Sequence, residues 1–204
     1  MVITQISQIS KSRSKVYIDE EFAFVLYKGE LSLYHLQEGM EIKAHDYNEI
    51  VNAVLPKRAK LRAMNLLQKR TYTEKQLRDK LTEGFYAPEI LEQAIDYVKS
   101  FHYLDDYEYA LDYITYNAER KSIKQIEMDL HQKGITKDVI TKAYTEWKEI
   151  NGDQNESEMI RRLLDKKNYH KDCDLKEKQK IYGFLLRKGY SAEKIRYEMN
   201  LEID

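Results

Sequence analysis

Apolar and polar residues alternate along this chain with two different periods, and the change falls near residue 43. Before it, β-branched and aromatic residues recur at every second position: Val16 and Ile18, then Phe22, Phe24 and Leu26, then Leu31 and Leu33. That spacing predicts a small antiparallel meander, with turns at Asp19-Glu20 and Lys28-Gly29-Glu30 and a bend at Gly39. Isolated hairpins are marginal in water, so the strands need a surface to lean on. Beyond residue 43 the period becomes helical. Asp46-Tyr-Asn-Glu49 reads as a capping box opening a helix with Tyr47, Ile50, Val51 and Val54 on one face, and Pro56 is expected to end it.

From residue 57 the pattern repeats. Leu77-Arg-Asp-Lys-Leu81-Thr-Glu-Gly84-Phe85, Ile126-Glu-Met-Asp-Leu130-His-Gln-Lys-Gly134-Ile135 and Ile181-Tyr-Gly-Phe-Leu185-Leu-Arg-Lys-Gly189-Tyr190 align. Each reads as a helix closed by a left-handed glycine and sealed by the apolar residue after it, the first copy being one residue short before Gly84. Ile90, Ile140 and Ile195, followed four residues on by Ala94, Tyr144 and Met199, predict the buried stripe of a further helix, with Pro88, Thr136 and Ser191 at its start. A helix precedes each anchored one, marked by Leu61, Met64 and Leu67, by Ala110, Leu111 and Ile114, and by Met159, Ile160, Leu163 and Leu164. Thr73-Glu-Lys-Gln76, Ser122-Ile-Lys-Gln125 and Asp174-Leu-Lys-Glu177 read as capping boxes of the second helices. The expected fold is mostly α: a tandem array of three three-helix modules with a small N-terminal β-meander plus helix. The expected boundaries are 1–56 for the strand region and helix, 57–103, 104–150 and 151–204 for the modules, with a hinge over 148–158.

Composition agrees with this pattern. With 2 prolines and 7 glycines in 204 residues there are few breakers, and 42% apolar residues suffice for packed modules. No apolar run approaches the roughly 18–20 residues that cross a bilayer, so the chain is expected to stay in the cytoplasm, away from membranes. The single cysteine, Cys173, excludes an intramolecular disulfide and a cysteine-based zinc site.

At this point the residues resemble a known family. Phe101-His-Tyr103-Leu104-Asp105-Asp106 followed by Tyr109-Ala110 is similar to the junction between the first two modules of RecX proteins. Thr71-Tyr-Thr-Glu-Lys-Gln-Leu77, the glycine-ended helices, and the N-terminal segments Tyr17–Phe24 and Leu36–Met40 resemble the same family. The likeness implies a non-enzymatic regulator of the RecA recombinase in DNA repair and recombination. Such a protein would bind the RecA–single-stranded DNA filament along its groove and inhibit ATP hydrolysis, filament growth and strand exchange. It implies no cofactor and no small-molecule substrate.

The charge pattern is the remaining source of candidate sites. The net charge is −1, yet residues 57–80 hold nine basic and two acidic side chains, and residues 81–120 hold two basic and nine acidic. No acid lies between Lys57 and Thr73, so Lys57, Arg58, Lys60, Arg62, Lys69 and Arg70 repel one another unless they meet an anion or an acidic surface. Arg78 joins these candidates for partner or DNA binding, as do Arg161, Arg162, Lys166 and Lys167 in the third module. A solvated helix face is the alternative use of both runs. The acidic stretch, including Glu89, Glu92, Asp96, Asp105, Asp106, Glu108 and Asp112, suits a solubilising face or a dock for basic recombinase loops. Tyr103, Leu104, Asp105 and Asp106, with Gly84, Gly134 and Gly189, are read as structural, Asp105 and Glu108 as the cap of the next helix. Tyr103, Tyr107, Tyr109, Tyr113 and Tyr116 crowd one region, where ring packing competes with base stacking. There is no phosphate-cradling loop, HExxH motif or nucleophile elbow, and the five histidines are scattered. The second functional reading is a stand-alone helical-repeat protein that competes for single-stranded DNA.

Overall fold

The computed structural model describes residues 1–201; residues 202–204, the end of the expected third module, lie outside them. The chain divides into two units, Met1–Asp105 and Asp106–Asp204.

The first unit opens with three antiparallel strands in sequence order, β1 (Ile3–Gln8), β2 (Arg13–Ile18) and β3 (Glu21–Tyr27). Asp19 and Glu20 join β2 to β3 with φ of +50° and +71°, the two-residue turn whose twist matches its strands. β1 was not legible in the alternation. A bulge between Ile3 and Gln5 shifts its register, so the buried Ile3 and half-buried Ile6 fall three residues apart. Leu31 and Leu33 belong to no strand. They lie on α1 (Lys28–Leu33), whose Glu30 folds back to accept the Tyr27 N–H at 2.7 Å.

Pro56 does not end the next helix. α2 (Ala44–Glu49), a π-helical turn (Ile50–Val54) and α3 (Leu55–Leu67) form one unbroken run, with the Leu55 N–H donating to the Ile50 carbonyl five residues back. The widened turn just before the proline is where a helix gives up regular bonding most cheaply. Asp46 sits in the first turn, and Lys43 takes the N-cap. On α3 the buried face is Pro56, Ala59 and Ala63, whereas Leu61 is 55% exposed. Small alanines there let α5 (Pro88–Ser100) approach through Ala94, Ile95 and Val98. Thr73 and Gln76 form the expected reciprocal box at the start of α4 (Glu74–Thr82), both bonds 3.3 Å. Ile3, Val16, Phe24 and Leu26 of the sheet share one hydrophobic cluster with Leu77, Leu81, Ala94 and Val98. The surface the meander needs is therefore the first helical module.

Gly134 and Gly189 end their helices at φ +94° and +90°, as expected. Gly84 does not. The left-handed residue of the first module is Phe85, at φ +58°. Measured from Phe85, Leu77 and Leu81 stand eight and four residues back, as in the other two copies, and Tyr86 takes the sealing place of Ile135 and Tyr190. No residue is missing before the turn. After it the next helix starts three residues on in all three copies, at Pro88, Lys137 and Ala192, but the first buried isoleucine falls five residues on in the first copy, at Ile90, and six on in the others, at Ile140 and Ile195. Gly84 has a separate reason to be small: a Cβ there would run into the Tyr86 ring.

The second unit holds α6 (Asp106–Asn117), α7 (Ile123–Gln132) and α8 (Lys137–Asn151), then α9 (Glu156–Lys166), α10 (Leu175–Arg187) and α11 (Ala192–Met199). Each trio has its own cluster, Ala110, Ile114, Leu130, Ile140 and Trp147 in one, Ile160, Leu164, Leu185, Ile195 and Met199 in the other. On α8 the buried position is Ala143 rather than Tyr144, and Thr136 takes the N-cap place without a side-chain bond.

The expected hinge is pinned. The Gln154 amide donates to the carbonyls of Ala118 and Lys121, the latter at 2.6 Å, and Lys148 pairs with Asp153 at 2.7 Å. Ser122, fully buried, accepts from the Gln125 N–H at 3.2 Å and donates to the Lys188 carbonyl at 2.6 Å. Buried Glu156 accepts from the Ile123 N–H at 3.2 Å and from Lys194 Nζ at 2.9 Å.

Candidate partner-binding surfaces

The basic cluster of residues 57–78 divides by direction. Arg58 turns inward from α3: Nη1 donates to Glu30 at 2.7 Å and Nη2 to the Val25 carbonyl at 2.5 Å, and its guanidinium lies 5.0 Å from the Tyr27 ring. Its side chain is 17% exposed, so it ties α3 to the sheet. Arg62 donates to the Lys80 carbonyl at 3.2 Å and lies 3.8 Å from Glu83. Arg78 donates to Glu74 and to Glu92, each at 2.8 Å. The Glu92 bonds, against partial burial, push its guanidinium pKa up. Burial pushes the Glu74 carboxyl up, but Lys99 and Arg78 outweigh it and hold the group below the ordinary value. Glu30, Glu83 and Glu92 lie outside the helices that carry Arg58, Arg62 and Arg78, where a local charge count does not see them, whereas Glu74 is one turn before Arg78 on α4.

Lys57, Lys60, Lys69 and Arg70 point elsewhere. Lys57 and Lys69 are exposed; Lys60 Nζ sits 5.3 Å from the centre of the Tyr97 ring and the Arg70 guanidinium 4.2 Å from that of Tyr72. In the third module Arg161 lies 3.2 Å from Glu198, Arg162 pairs with Glu158 one turn away, Lys166 is exposed, and Lys167 lies 5.0 Å from the Phe184 ring.

Most of the tyrosine crowd serves packing. Tyr107 donates to Glu146, Tyr113 donates to Asp129 at 2.8 Å, and Tyr109 stacks on Tyr113 at 6.4 Å. Tyr116, 67% exposed, lies beneath Arg120. Leu104 is buried in the first unit's cluster, Asp105 immediately precedes α6, and Asp106 is its first residue.

The first unit carries an aromatic strip of which the sequence weighed only Tyr103 for stacking, grouped with tyrosines of the next helix. Tyr97, Phe101 and Tyr103 are all exposed, with ring centres 5.0 Å apart in the first pair and 5.9 Å in the second. The signal was present: Ile90, Ala94, Ile95 and Val98 define the buried side of α5, which leaves Tyr97 and Phe101, one turn apart, on the other. Among the described residues no cluster of His, Cys, Asp and Glu could hold a metal ion, and no helix is long and apolar enough to cross a membrane.

Comparison with known proteins gives a consistent result. Residues 59–97 match the family model described as the first three-helix domain of RecX, and residues 154–199 the third. A "Regulatory protein RecX" of Caldanaerobacter subterraneus subsp. tengcongensis is 32% identical over 204 residues, 98% of this chain and all of the relative. One from Clostridium botulinum (strain Eklund 17B) is 29% identical over 196 residues, 94% of this chain and 91% of the relative. A crystal structure of regulatory protein RecX superposes with a TM-score of 0.63 at 25% identity, over 98% of this chain and 99% of the other. That of RecX from Lactobacillus salivarius, 21% identical, shares the fold over 72% of this chain and 96% of the other, with a TM-score of 0.59.

Proposed function

This chain belongs to the RecX family, and from that premise we propose that it regulates the RecA recombinase by binding the RecA–single-stranded DNA filament and inhibiting its ATPase, growth and strand exchange. The observation that carries the reading is the similarity to a named regulatory protein along the full length of both chains. The surface chemistry supports a non-enzymatic action by occupation. Cations free to meet phosphate or an acidic protein face occur on separate modules, Lys57, Lys60, Lys69 and Arg70 on the first and Lys166 on the third.

The test is the single-stranded-DNA-dependent ATPase of the cognate RecA, titrated with this protein. Inhibition is expected well below one molecule per recombinase, and no inhibition at equal stoichiometry would overturn the reading. Charge reversal of Lys57, Lys60, Lys69 and Arg70 together should raise the concentration needed for half-inhibition about tenfold or more, while far-UV circular dichroism keeps its helical signature because the one contact of the four with another helix is that of Lys60 with the exposed Tyr97 ring. Arg58→Glu should instead unfold the first unit, since it leaves Glu30 facing a second carboxylate.

The aromatic strip favours a second reading, competition for single-stranded DNA. That mode shows no inhibition until the DNA is saturated, and a binding constant falling linearly with salt in logarithmic form, by about 0.7 per phosphate contact on single strands.

A further inference from the structure

Two depressions on the first module share Met64. One is walled by Lys57, Lys60, Leu61 and Tyr97, the other by Leu67, Gln68 and Tyr103, and no acidic residue lines either. Phe101 bridges them, in edge contact with Tyr97 and stacked on Tyr103. Phe101 and Tyr103 are each 53% exposed and Leu61 55%, so this apolar surface stands in water beside two lysines. Residues of α3, α5 and the turn after it, over thirty apart in sequence, converge to build it.

We propose that this strip seats single-stranded nucleic acid, with successive bases stacked along Tyr97, Phe101 and Tyr103 and the backbone phosphates turned toward Lys57 and Lys60. The proposal rests on the filament reading above and adds the place on this chain where the strand lies. Three features select this occupant. The exposed rings, Phe101 and Tyr103 within 15° of parallel and Tyr97 turned 60° to Phe101, offer π faces that any base can use, whatever its sequence. The charged side chains that line the two depressions, Lys57 and Lys60, are both positive, so a ligand carrying one negative charge per unit is attracted there and repelled by nothing in the walls. A protein segment that covered the same surface would need acidic and apolar side chains in register with both lysines and all three rings, whereas a polynucleotide repeats that combination at every unit.

The strip is tested with the full-length protein and a fluorescein-labelled oligothymidylate, beside an abasic strand of equal length, by fluorescence anisotropy in low salt. Phe101→Ser and Tyr103→Ser should each weaken oligothymidylate binding roughly fivefold or more, and the pair further, because stacking on one ring typically contributes about that factor. Binding to the abasic strand, already weaker, should be unchanged by either ring variant and weakened by Lys57→Ala with Lys60→Ala. Phe101→Trp should restore binding, and its indole emission should be quenched by the oligothymidylate. Wild-type affinity in the ring variants would overturn the proposal, as would equal losses on both strands, or an unquenched Trp at position 101. If the ring variants bound the strand normally yet failed to inhibit the recombinase ATPase, the strip would be a protein contact and the proposal wrong. Loss of strand binding with inhibition intact would support the strip and leave the regulatory reading standing. A wild-type protein that inhibits but binds no oligothymidylate would overturn the strip alone.

Discussion

Gly189 sits at φ +90°, and a Cβ placed on it would meet Ser122 Oγ at 2.5 Å and the Gln125 backbone nitrogen at 3.2 Å. Two penalties coincide there, the left-handed backbone and the loss of a close approach, so Gly189→Ala should cost about 2 kcal/mol or more. Gly183 contrasts with it. It lies inside α10 without a positive φ, and a Cβ would touch only the flexible end of Arg187, at 3.4 Å. Gly183→Ala should therefore stabilise by about 0.5–1 kcal/mol, through helix propensity and a less flexible unfolded chain. Chemical denaturation of both variants checks the pair, and an equal effect at the two positions would refute the distinction. Glycine as a marker of helix ends was thus legible at two positions and misled at the third. Phe85 holds the left-handed place, and side-chain identity alone gives no warning of a phenylalanine there. The candidate site suffered in the same way: Arg58 and Arg62 lie in a stretch without acids, yet Glu30 and Glu83 reach them through the fold, as Glu92 reaches Arg78.

Elements were legible where one face is buried at a regular spacing. α7, α10 and α11 lie where the apolar stripes and caps put them. The misses were β1, whose bulge scrambles the alternation, and the α2–α3 run, where a π turn carries the helix through a proline. Helix α7 also carries the second unit's sensitivity to acid. Burial pushes the Asp129 carboxyl up, but bonds from Lys121 at 2.7 Å, Gln125 and Tyr113 at 2.8 Å outweigh it and hold the group below the ordinary carboxylate value. A depressed value in the folded state means that the stabilisation is whole above the unfolded-state value, about 3.9, and is lost as the pH falls through the folded one. The second unit should lose stability steeply below about pH 4, and Asp129→Asn should flatten that fall while lowering stability at pH 7. Thermal melts across pH 2–7 measure it; parallel curves for both proteins would remove Asp129 from the account.

Across the whole molecule the sheet and first module share one core, and the second and third modules keep their own. The one tryptophan, Trp147, is buried in the second unit. In a denaturant titration its fluorescence should follow that unit alone, whereas far-UV circular dichroism follows both, so the two transitions should not coincide. Superimposable curves would show one cooperative block. Within the second unit, the Ser122–Lys188 bond has an electrostatic meaning. It joins the N-terminal end of α7 to the last carbonyls of α10, so the positive pole of one helix dipole meets the negative pole of another. Two dipoles in line attract without either side carrying a net charge, and at a fully buried serine there is little room for counterions to intervene. Salt concentrations that screen the exposed lysines should leave this joint closed, and the second and third modules should then respond to salt together, as one body.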